Sequence, residues 1–288
     1  MLFDPSFARE LEALRRRLSI RARSGSGGDH LARRRGGAAE FMEHRPYAPG
    51  DDLRRLDWLA FARTGEPVFK LFRAEEDVIV RLVIDASASL GSGTPPKLDT
   101  AKRLAAAVGY MALASSERAQ VLAAGDGLSR VTEPARGRAA LPKLLRDLDA
   151  MRAGGRTDLS RAIEQTLARS ARPGMLVVVS DFLDDGPIEA AVARAAAAGH
   201  DVALVQVLAR EEVEPSYDGD FALEDAETGA VVEVTMDDRA IEAYLARLAG
   251  LLSGLRNLAR RHRASYVRMT SDEAILPAVR RFVSRAVD

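Results

Sequence analysis

Five side chains with oxygen donors lie where the sequence predicts loops at one edge of a sheet. They are two carboxylates and three hydroxyls, at Asp85, Ser87, Ser89, Thr157 and Asp181. Asp85 follows a continuous apolar, β-branched run at residues 78–84, and Asp181 follows a second such run at residues 175–180. Ligands of an open parallel sheet bind beyond the carboxyl ends of its strands, so we expect these side chains to converge there.

The donor set is typical of a site for a divalent cation. All of its donors are hard oxygens, which Mg²⁺ and Mn²⁺ prefer in near-octahedral geometry at about 2.0–2.1 Å. In the Asp-x-Ser-x-Ser segment at residues 85–89, alternate side chains face the same side as the chain turns from strand into loop. The sequence therefore predicts a site for Mg²⁺ or Mn²⁺, and helix capping by Ser87 and Asp181 is the alternative interpretation.

The elements that would position this site alternate between strand and helix. Strands are predicted at residues 78–84, 118–124, 128–133, 175–180, 201–208 and 265–269, and helices at residues 97–115, 138–151, 158–170, 187–198, 238–263 and 272–287. This alternation predicts a doubly wound, mostly parallel α/β sheet with helices on both faces. We assign residues 77–288 to this domain, with a β-hairpin insertion at about 209–236, and residues 1–76 to an N-terminal region that packs against it.

The five residues resemble the metal-ion-dependent adhesion site of von Willebrand factor A domains. The similarity rests on the Asp85-Ala-Ser87-Ala-Ser89 segment, on a threonine loop at residues 155–158, and on Asp181 after a later strand. The resemblance implies that the hydroxyls bind the ion directly or through water and that the two aspartates bind it through water. It also implies an open coordination position, which accepts a carboxylate from a partner protein.

A second resemblance begins at Glu40 and precedes the predicted domain. The residues that carry it are Tyr47, Asp51, Asp52, Arg54, Asp57 and Trp58, in a Tyr-x-Pro-Gly-Asp-Asp-x-Arg-x-x-Asp-Trp signature. The signature is similar to that of a widespread bacterial family of unknown function, many of whose members are encoded beside MoxR-type AAA+ ATPases. The resemblance implies a partner system that includes such an ATPase, and a role in chaperone-like assembly or regulation.

Two interpretations of the signature segment stay open. Its acids and arginines alternate, and such groups lock a loop through charge-assisted hydrogen bonds, with Trp58 anchoring the segment to the sheet domain. Alternatively, Tyr47, Asp57, Trp58 and their neighbours form a surface that docks a partner.

Composition narrows the classes of partner. Lys+Arg and Asp+Glu number 42 each, so the protein has no overall field that favours nucleic acid or an acidic membrane. The arginines at residues 33–35 lack the interleaved aromatic platform of a single-strand binder. There is no cysteine, no signal-peptide pattern and no apolar run of about 18 residues. We therefore expect a cytoplasmic protein that neither binds nucleic acid nor spans a membrane.

The sequence favours a binding module over an enzyme. It contains neither a Gly-x-Ser-x-Gly elbow nor a Gly-x-x-x-x-Gly-Lys phosphate-binding loop. The main alternative is a Mg²⁺-dependent phosphoryl-transfer enzyme with Asp85 as nucleophile. Against it, the sequence predicts no well-placed lysine, since Lys97 and Lys102 fall on the helix after the first strand. A third interpretation is an oligomeric scaffold that self-associates through the hairpin.

Overall fold

The structure is a computed structural model that describes residues 5–15, 40–48, 56–73, 78–183 and 186–286. The chain divides into two compact units, one made of Met1–Gly25 with Val78–Asp288 and the other of Ser26–Asp77. The arginines at 33–35 and the signature residues Asp51, Asp52 and Arg54 lie outside the described residues. What the sequence predicts for them stays a prediction.

The smaller unit contains an antiparallel pair of strands and a short helix. After α1 (Pro5–Arg15), which belongs to the larger unit, the described elements are β1 (Glu40–Pro46), α2 (Trp58–Thr64) and β2 (Val68–Arg73). β1 pairs with β2, Leu56 forms a backbone bridge to Phe69, and both of these side chains are buried. The helix ends at Gly65, whose φ of 73° is a left-handed conformation that glycine adopts without a steric penalty.

Seven strands form the central sheet of the larger unit. Their bounds are β3 (Ile79–Asp85), β4 (Arg118–Gly125), β5 (Gly127–Val131), β6 (Ala135–Arg136), β7 (Met175–Ser180), β8 (Asp201–Leu208) and, after the hairpin, β11 (Ser265–Thr270). The order is β11-β8-β7-β3-β4-β5, in which the first five are parallel, while β5 and β6 pair with β4 in antiparallel fashion. The parallel strands are apolar runs because both faces of the sheet are covered. The predicted fold class is therefore confirmed.

Helices cover both faces of this sheet. They are α3 (Lys97–Ala114), α4 (Leu141–Asp149), α5 (Leu159–Ala168), α6 (Ile188–Ala197), α7 (Arg210–Val213), α8 (Asp238–Arg261) and α9 (Ile275–Ala286). Leu82 of β3 lies in one core cluster with Leu104 of α3, whereas Val83 of β3 lies in another cluster with Ile163 of α5. Alternate residues of β3 thus face opposite cores, as the pleat of a strand requires. No helix in the described ranges is both long and apolar enough to cross a bilayer.

The first helix belongs to the larger unit rather than to a single N-terminal region. Phe7 and Leu11 of α1 are buried in the same core cluster as α3. Tyr110 of α3 donates a hydrogen bond to Glu12, and the Arg103 guanidinium lies 5.2 Å from the centre of the Phe7 ring. The sequence-based division placed residues 1–76 together, but the apolar stripe of α1 groups it with the sheet.

A two-stranded hairpin interrupts the larger unit between α7 and α8. It consists of β9 (Gly219–Glu224) and β10 (Val231–Met236), which pair in antiparallel fashion outside the central sheet. The Thr235 hydroxyl donates to the Asp220 carboxylate across the pair at 2.7 Å. The predicted hairpin is present as a separate ribbon, and it covers residues 219–236 of the predicted range, because residues 210–213 form α7.

Glu117, between α3 and β4, predicts a pH dependence of stability. Its Oε2 is buried and has no hydrogen-bond partner among the residues that the structure describes, and burial raises the pKa of Glu117 to about 7. The folded protein therefore holds this proton more tightly than the unfolded chain does. We expect the free energy of unfolding to fall as pH rises from about 4.5 to 7 and then to level off. Glu117 is partly exposed, so solvent screening reduces the effect of this shift, and urea titrations across this range should show that Glu117→Gln removes a loss of about 1–2 kcal/mol. An unchanged slope would contradict the assignment.

Candidate metal centre

The topology of the sheet places a crevice between the carboxyl ends of β3 and β7. The chain passes from β3 to β4 on one side, and then returns to β7 on the other side of β3. Such a reversal opens a crevice between the two connections, which is where open α/β sheets bind ligands. Asp85 is the last residue of β3 and Asp181 directly follows β7, so the two predicted carboxylates flank this point.

Two sets of hydrogen bonds join the five predicted residues, and Ser87 takes part in both sets. The Ser89 hydroxyl donates to Asp181 Oδ2 at 2.9 Å, and its oxygen lies 3.1 Å from the Ser87 hydroxyl oxygen. The Thr157 hydroxyl donates to Asp85 Oδ1 at 3.2 Å, and the Ser87 backbone N–H donates to the same atom at 2.9 Å. The structure therefore brings together every residue that the sequence predicts for the site.

Backbone contacts fix the loop that carries Thr157. The Gly154 N–H donates to the Ala86 carbonyl at 2.9 Å, and the Ala88 N–H donates to the Gly155 carbonyl at 3.0 Å. On the other side, the Asp158 N–H donates to the Gly125 carbonyl at the end of β4, at 2.7 Å. These hydrogen bonds attach the loop to the ends of β3 and β4 and hold Thr157 beside Asp85.

Asp85 lies in a polar cage within the core. It is fully buried, and its Oδ2 accepts a hydrogen bond from the Ser180 hydroxyl at 2.6 Å. Burial raises the pKa of Asp85, the bonds from Ser180 and Ser87 oppose that change, and the nearby charge of Asp181 adds to it. A cation at this edge would favour the ionised carboxylate, because an opposite charge offsets both burial and repulsion.

The backbone after β7 orients Asp181. Its carbonyl accepts from the Gln206 amide at 2.8 Å, and the Gln206 side chain in turn accepts from the Tyr266 hydroxyl at 2.6 Å. The next residue, Phe182, is buried with a φ of 54°, a conformation that bulky residues rarely adopt. The Phe182 N–H donates to the Ser180 hydroxyl at 3.0 Å. Packing and this hydrogen bond together maintain a backbone conformation whose strain costs about 1–3 kcal/mol.

Lys97 reaches the candidate metal centre from the first residue of α3, although the sequence alone assigned it only to the helix after the first strand. Lys97 begins α3 and is only 1% exposed. Its ammonium nitrogen lies 2.8 Å from Asp181 Oδ2 and 2.6 Å from Glu212 Oε1. Burial alone would lower the pKa of Lys97, but the charges of the two carboxylates raise it above its ordinary value.

Glu212 and Glu227 also reach the site, and the sequence did not single them out. Glu212 lies on α7, directly after β8, and Glu227 lies in the turn of the hairpin. Glu227 Oε2 accepts from the Thr157 backbone N–H at 3.3 Å. Their positions in the sequence could have predicted Glu212 and Lys97. The residue that begins the helix after β3 and the residues that follow β8 must lie at the same edge of a parallel sheet.

The five residues fit a hard divalent cation by their chemistry. Their side chains offer only oxygen donors, and the Lys97 ammonium shows that the edge already accommodates positive charge. Among the described residues, no group of three or more acidic or histidine side chains is gathered as a metal site. A cation here would therefore be held by two carboxylates, three hydroxyls and water, which suits Mg²⁺ better than Zn²⁺.

The described residues of the signature segment have different environments. Asp57 is buried, and its Oδ1 accepts from the N–H groups of Leu59 and Ala60, both at 3.2 Å, so it caps α2. Trp58 is 59% exposed and packs edge-on against Phe61. Tyr47 stacks on Phe69 and is partly exposed.

A family model described as "Protein of unknown function DUF58" matches residues 43–250. The chain belongs to the DUF58 family. Uncharacterized proteins of Mycobacterium bovis and Mycobacterium tuberculosis are each 38% identical to it over 266 residues, which cover 87% of this chain and 83% of theirs. The similarity to these relatives therefore covers most of the chain.

Solved structures resemble this DUF58 protein at the level of the fold. A conserved hypothetical protein BatB from Bacteroides thetaiotaomicron matches with a TM-score of 0.48 and 19% identity, over 73% of this chain and 100% of that one. A von Willebrand factor type A protein from Catenulispora acidiphila matches with a TM-score of 0.37 and 20% identity, over 49% of this chain and 35% of that one.

Proposed function

We propose that this DUF58 protein is a binding module that uses one divalent cation, Mg²⁺ or Mn²⁺, to hold a carboxylate of a partner protein. The observation that carries the proposal is the convergence of Asp85, Ser87, Ser89, Thr157 and Asp181 at the switch point of the sheet. The bound cation would supply a Lewis-acid position for the partner's acidic side chain. The von Willebrand factor A-like fold supports a role in protein interaction.

The residues of the site would divide this work between them. Asp85 and Asp181 would provide the negative charge, and the hydroxyls of Ser87, Ser89 and Thr157 would provide neutral oxygen ligands. A cation with an incomplete shell of protein carboxylates gains most from an additional anionic ligand. A carboxylate from another protein therefore completes the site better than a neutral group does.

We propose a MoxR-type AAA+ ATPase as a component of the partner system, in chaperone-like assembly or regulation. The support is the resemblance of the signature segment, in which Tyr47 and Trp58 present exposed aromatic surface. Docking by Asp51, Asp52 and Arg54, which lie outside the described residues, stays a prediction, as does the cytoplasmic location.

The phosphoryl-transfer alternative gains no support from the geometry of Asp85. Both of its carboxylate oxygens accept hydrogen bonds, and the side chain is fully buried. A nucleophile needs an oxygen that faces its substrate. Lys97 contacts Asp181 and Glu212, so it stabilises the other carboxylate rather than a group on Asp85. We therefore propose a protein that is not an enzyme.

Calorimetric titration of metal-free protein with Mg²⁺ and with Mn²⁺ tests the proposal. We expect one site per chain, with a heat signal for each ion and none for Na⁺ at the same ionic strength. Binding to the MoxR-type ATPase, measured by biolayer interferometry, should disappear with EDTA and return with excess Mg²⁺. Partner binding that persists in EDTA would contradict the role of the cation, and failure of both ions to bind would contradict the site itself.

A further inference from the structure

An ammonium group already occupies part of the candidate metal centre. Lys97 Nζ lies between Asp181 Oδ2, at 2.8 Å, and Glu212 Oε1, at 2.6 Å. Lys97 and Asp181 are almost completely buried, and Glu212 is about three-quarters buried. Such a buried ion pair persists only when hydrogen bonds satisfy its members, and these contacts use two of the three donors of the lysine.

The position of Lys97 creates a conflict with a divalent cation. Ser89 and Lys97 both donate to the same atom, Asp181 Oδ2. A metal ion that binds through Asp181 would therefore face the ammonium at short range, beside two side chains that are almost completely buried. Repulsion between like charges is strong there because the surroundings screen it weakly.

We propose that the Lys97 ammonium is the counter-ion of Asp181 in the metal-free protein. A divalent cation must displace this ammonium from Asp181, and Glu212 then holds it. The proposal rests on the proposed function, since it concerns the regulation of the same site. Without metal, the lysine offsets the cost of burying Asp181 beside Asp85. With metal, Glu212 keeps the ammonium from being left without an anionic partner.

This exchange would link metal binding to the segment after β8. Glu212 Oε2 accepts from the Ala209 N–H at 2.7 Å, which closes the first turn of α7. The Glu212 carbonyl accepts from the hydroxyl of Tyr244 on α8 at 2.8 Å. A change in the bond between Lys97 and Glu212 therefore acts on a residue that joins α7 to α8, directly before and after the hairpin.

Titration of Lys97→Met with Mn²⁺ tests the exchange, with Lys102→Met as the matched control. Lys102 is also a buried lysine of α3, but its ammonium donates to the Met151 carbonyl, at 2.8 Å, away from the site. We expect Lys97→Met to bind Mn²⁺ at least about tenfold more tightly than the parent, equivalent to about 1.4 kcal/mol. Lys102→Met should bind as the parent does. The metal-free Lys97→Met protein should melt at a lower temperature and gain more from Mn²⁺.

Glu212→Gln provides a second variant with the opposite expected sign. It removes the acceptor for the displaced ammonium, so Mn²⁺ should bind it more weakly than it binds the parent. Tighter binding by Lys97→Met, with or without measurable binding by the parent, supports the proposal. Equal or weaker binding by Lys97→Met overturns it and leaves the metal site intact, whereas no binding by any variant overturns both. If Lys97→Met does not fold, weaker binding by Glu212→Gln supports the exchange, and unchanged or tighter binding overturns it.

Discussion

Replacing Asp85 with alanine is expected to abolish divalent-cation binding and, with it, binding to the partner protein. The substitution removes one of two carboxylates, and it also leaves the Ser87 N–H and the Thr157 hydroxyl without their shared acceptor. Ser87 and Thr157 belong to the same cluster, so the substitution removes a charge and also the contacts that position these two residues. We expect the affinity for Mn²⁺ to fall by at least about 100-fold, which is about 2.8 kcal/mol. Calorimetry on the metal-free variant measures this directly.

Asp126→Ala is the matched control for this experiment. Asp126 lies in the turn after β4, at the same edge of the sheet, but it is exposed and pairs with Arg161 at 2.8 Å. Losing such a surface pair costs about 0–1 kcal/mol and should leave metal binding unchanged. Circular dichroism must show that the Asp85 variant folds. Mn²⁺ binding by a folded Asp85→Ala protein within about threefold of the parent would refute the assignment of Asp85.

The fold could be predicted from the sequence because parallel strands that are buried on both faces are continuous apolar runs. The observed bounds of β7, Met175–Ser180, and of β8, Asp201–Leu208, match the predicted ones. β1 was not predicted, since Glu40–Pro46 is rich in charge and becomes a strand by pairing with β2. The helix predicted at 138–151 is divided into a 3₁₀ turn and α4, and Pro142 lies in the first turn of α4.

The oxygen ligands of the site could be predicted for the same reason, but the lysine that lies among them could not. Asp85 and Asp181 are recognisable because each directly follows an apolar strand. The partners Lys97 and Glu212 are 115 residues apart in sequence, and neither belongs to a motif. Their meeting depends on the order of the strands and on how α3 and α7 begin. A single sequence does not specify that order, so the lysine was assigned to a helix face instead of the crevice.

The same close approach of strands that places the two aspartates side by side predicts that Gly174→Ala severely destabilises the protein. Gly174 directly precedes β7, and an added Cβ would lie 2.4 Å from the Ile79 carbonyl oxygen in β3. That contact is with backbone, so it cannot be relieved by moving a side chain, and the pairing of β3 with β7 must shift. We expect the free energy of unfolding to fall by about 3–5 kcal/mol in urea titrations.

Gly154→Ala should be almost neutral, because a Cβ at Gly154 meets nothing within 4 Å, although the residue lies in the loop that carries Thr157. The comparison separates two roles of glycine at this sheet: contact between neighbouring strands at its amino end, and a solvent-facing loop at its carboxyl end. Gly174→Ala should also weaken Mn²⁺ binding, since Asp85 and Asp181 lie at the far ends of the two strands that it separates. A Gly174→Ala protein as stable as Gly154→Ala would mean that β3 and β7 can part at this end without cost. The register of the two strands would then not be what fixes the spacing of the aspartates.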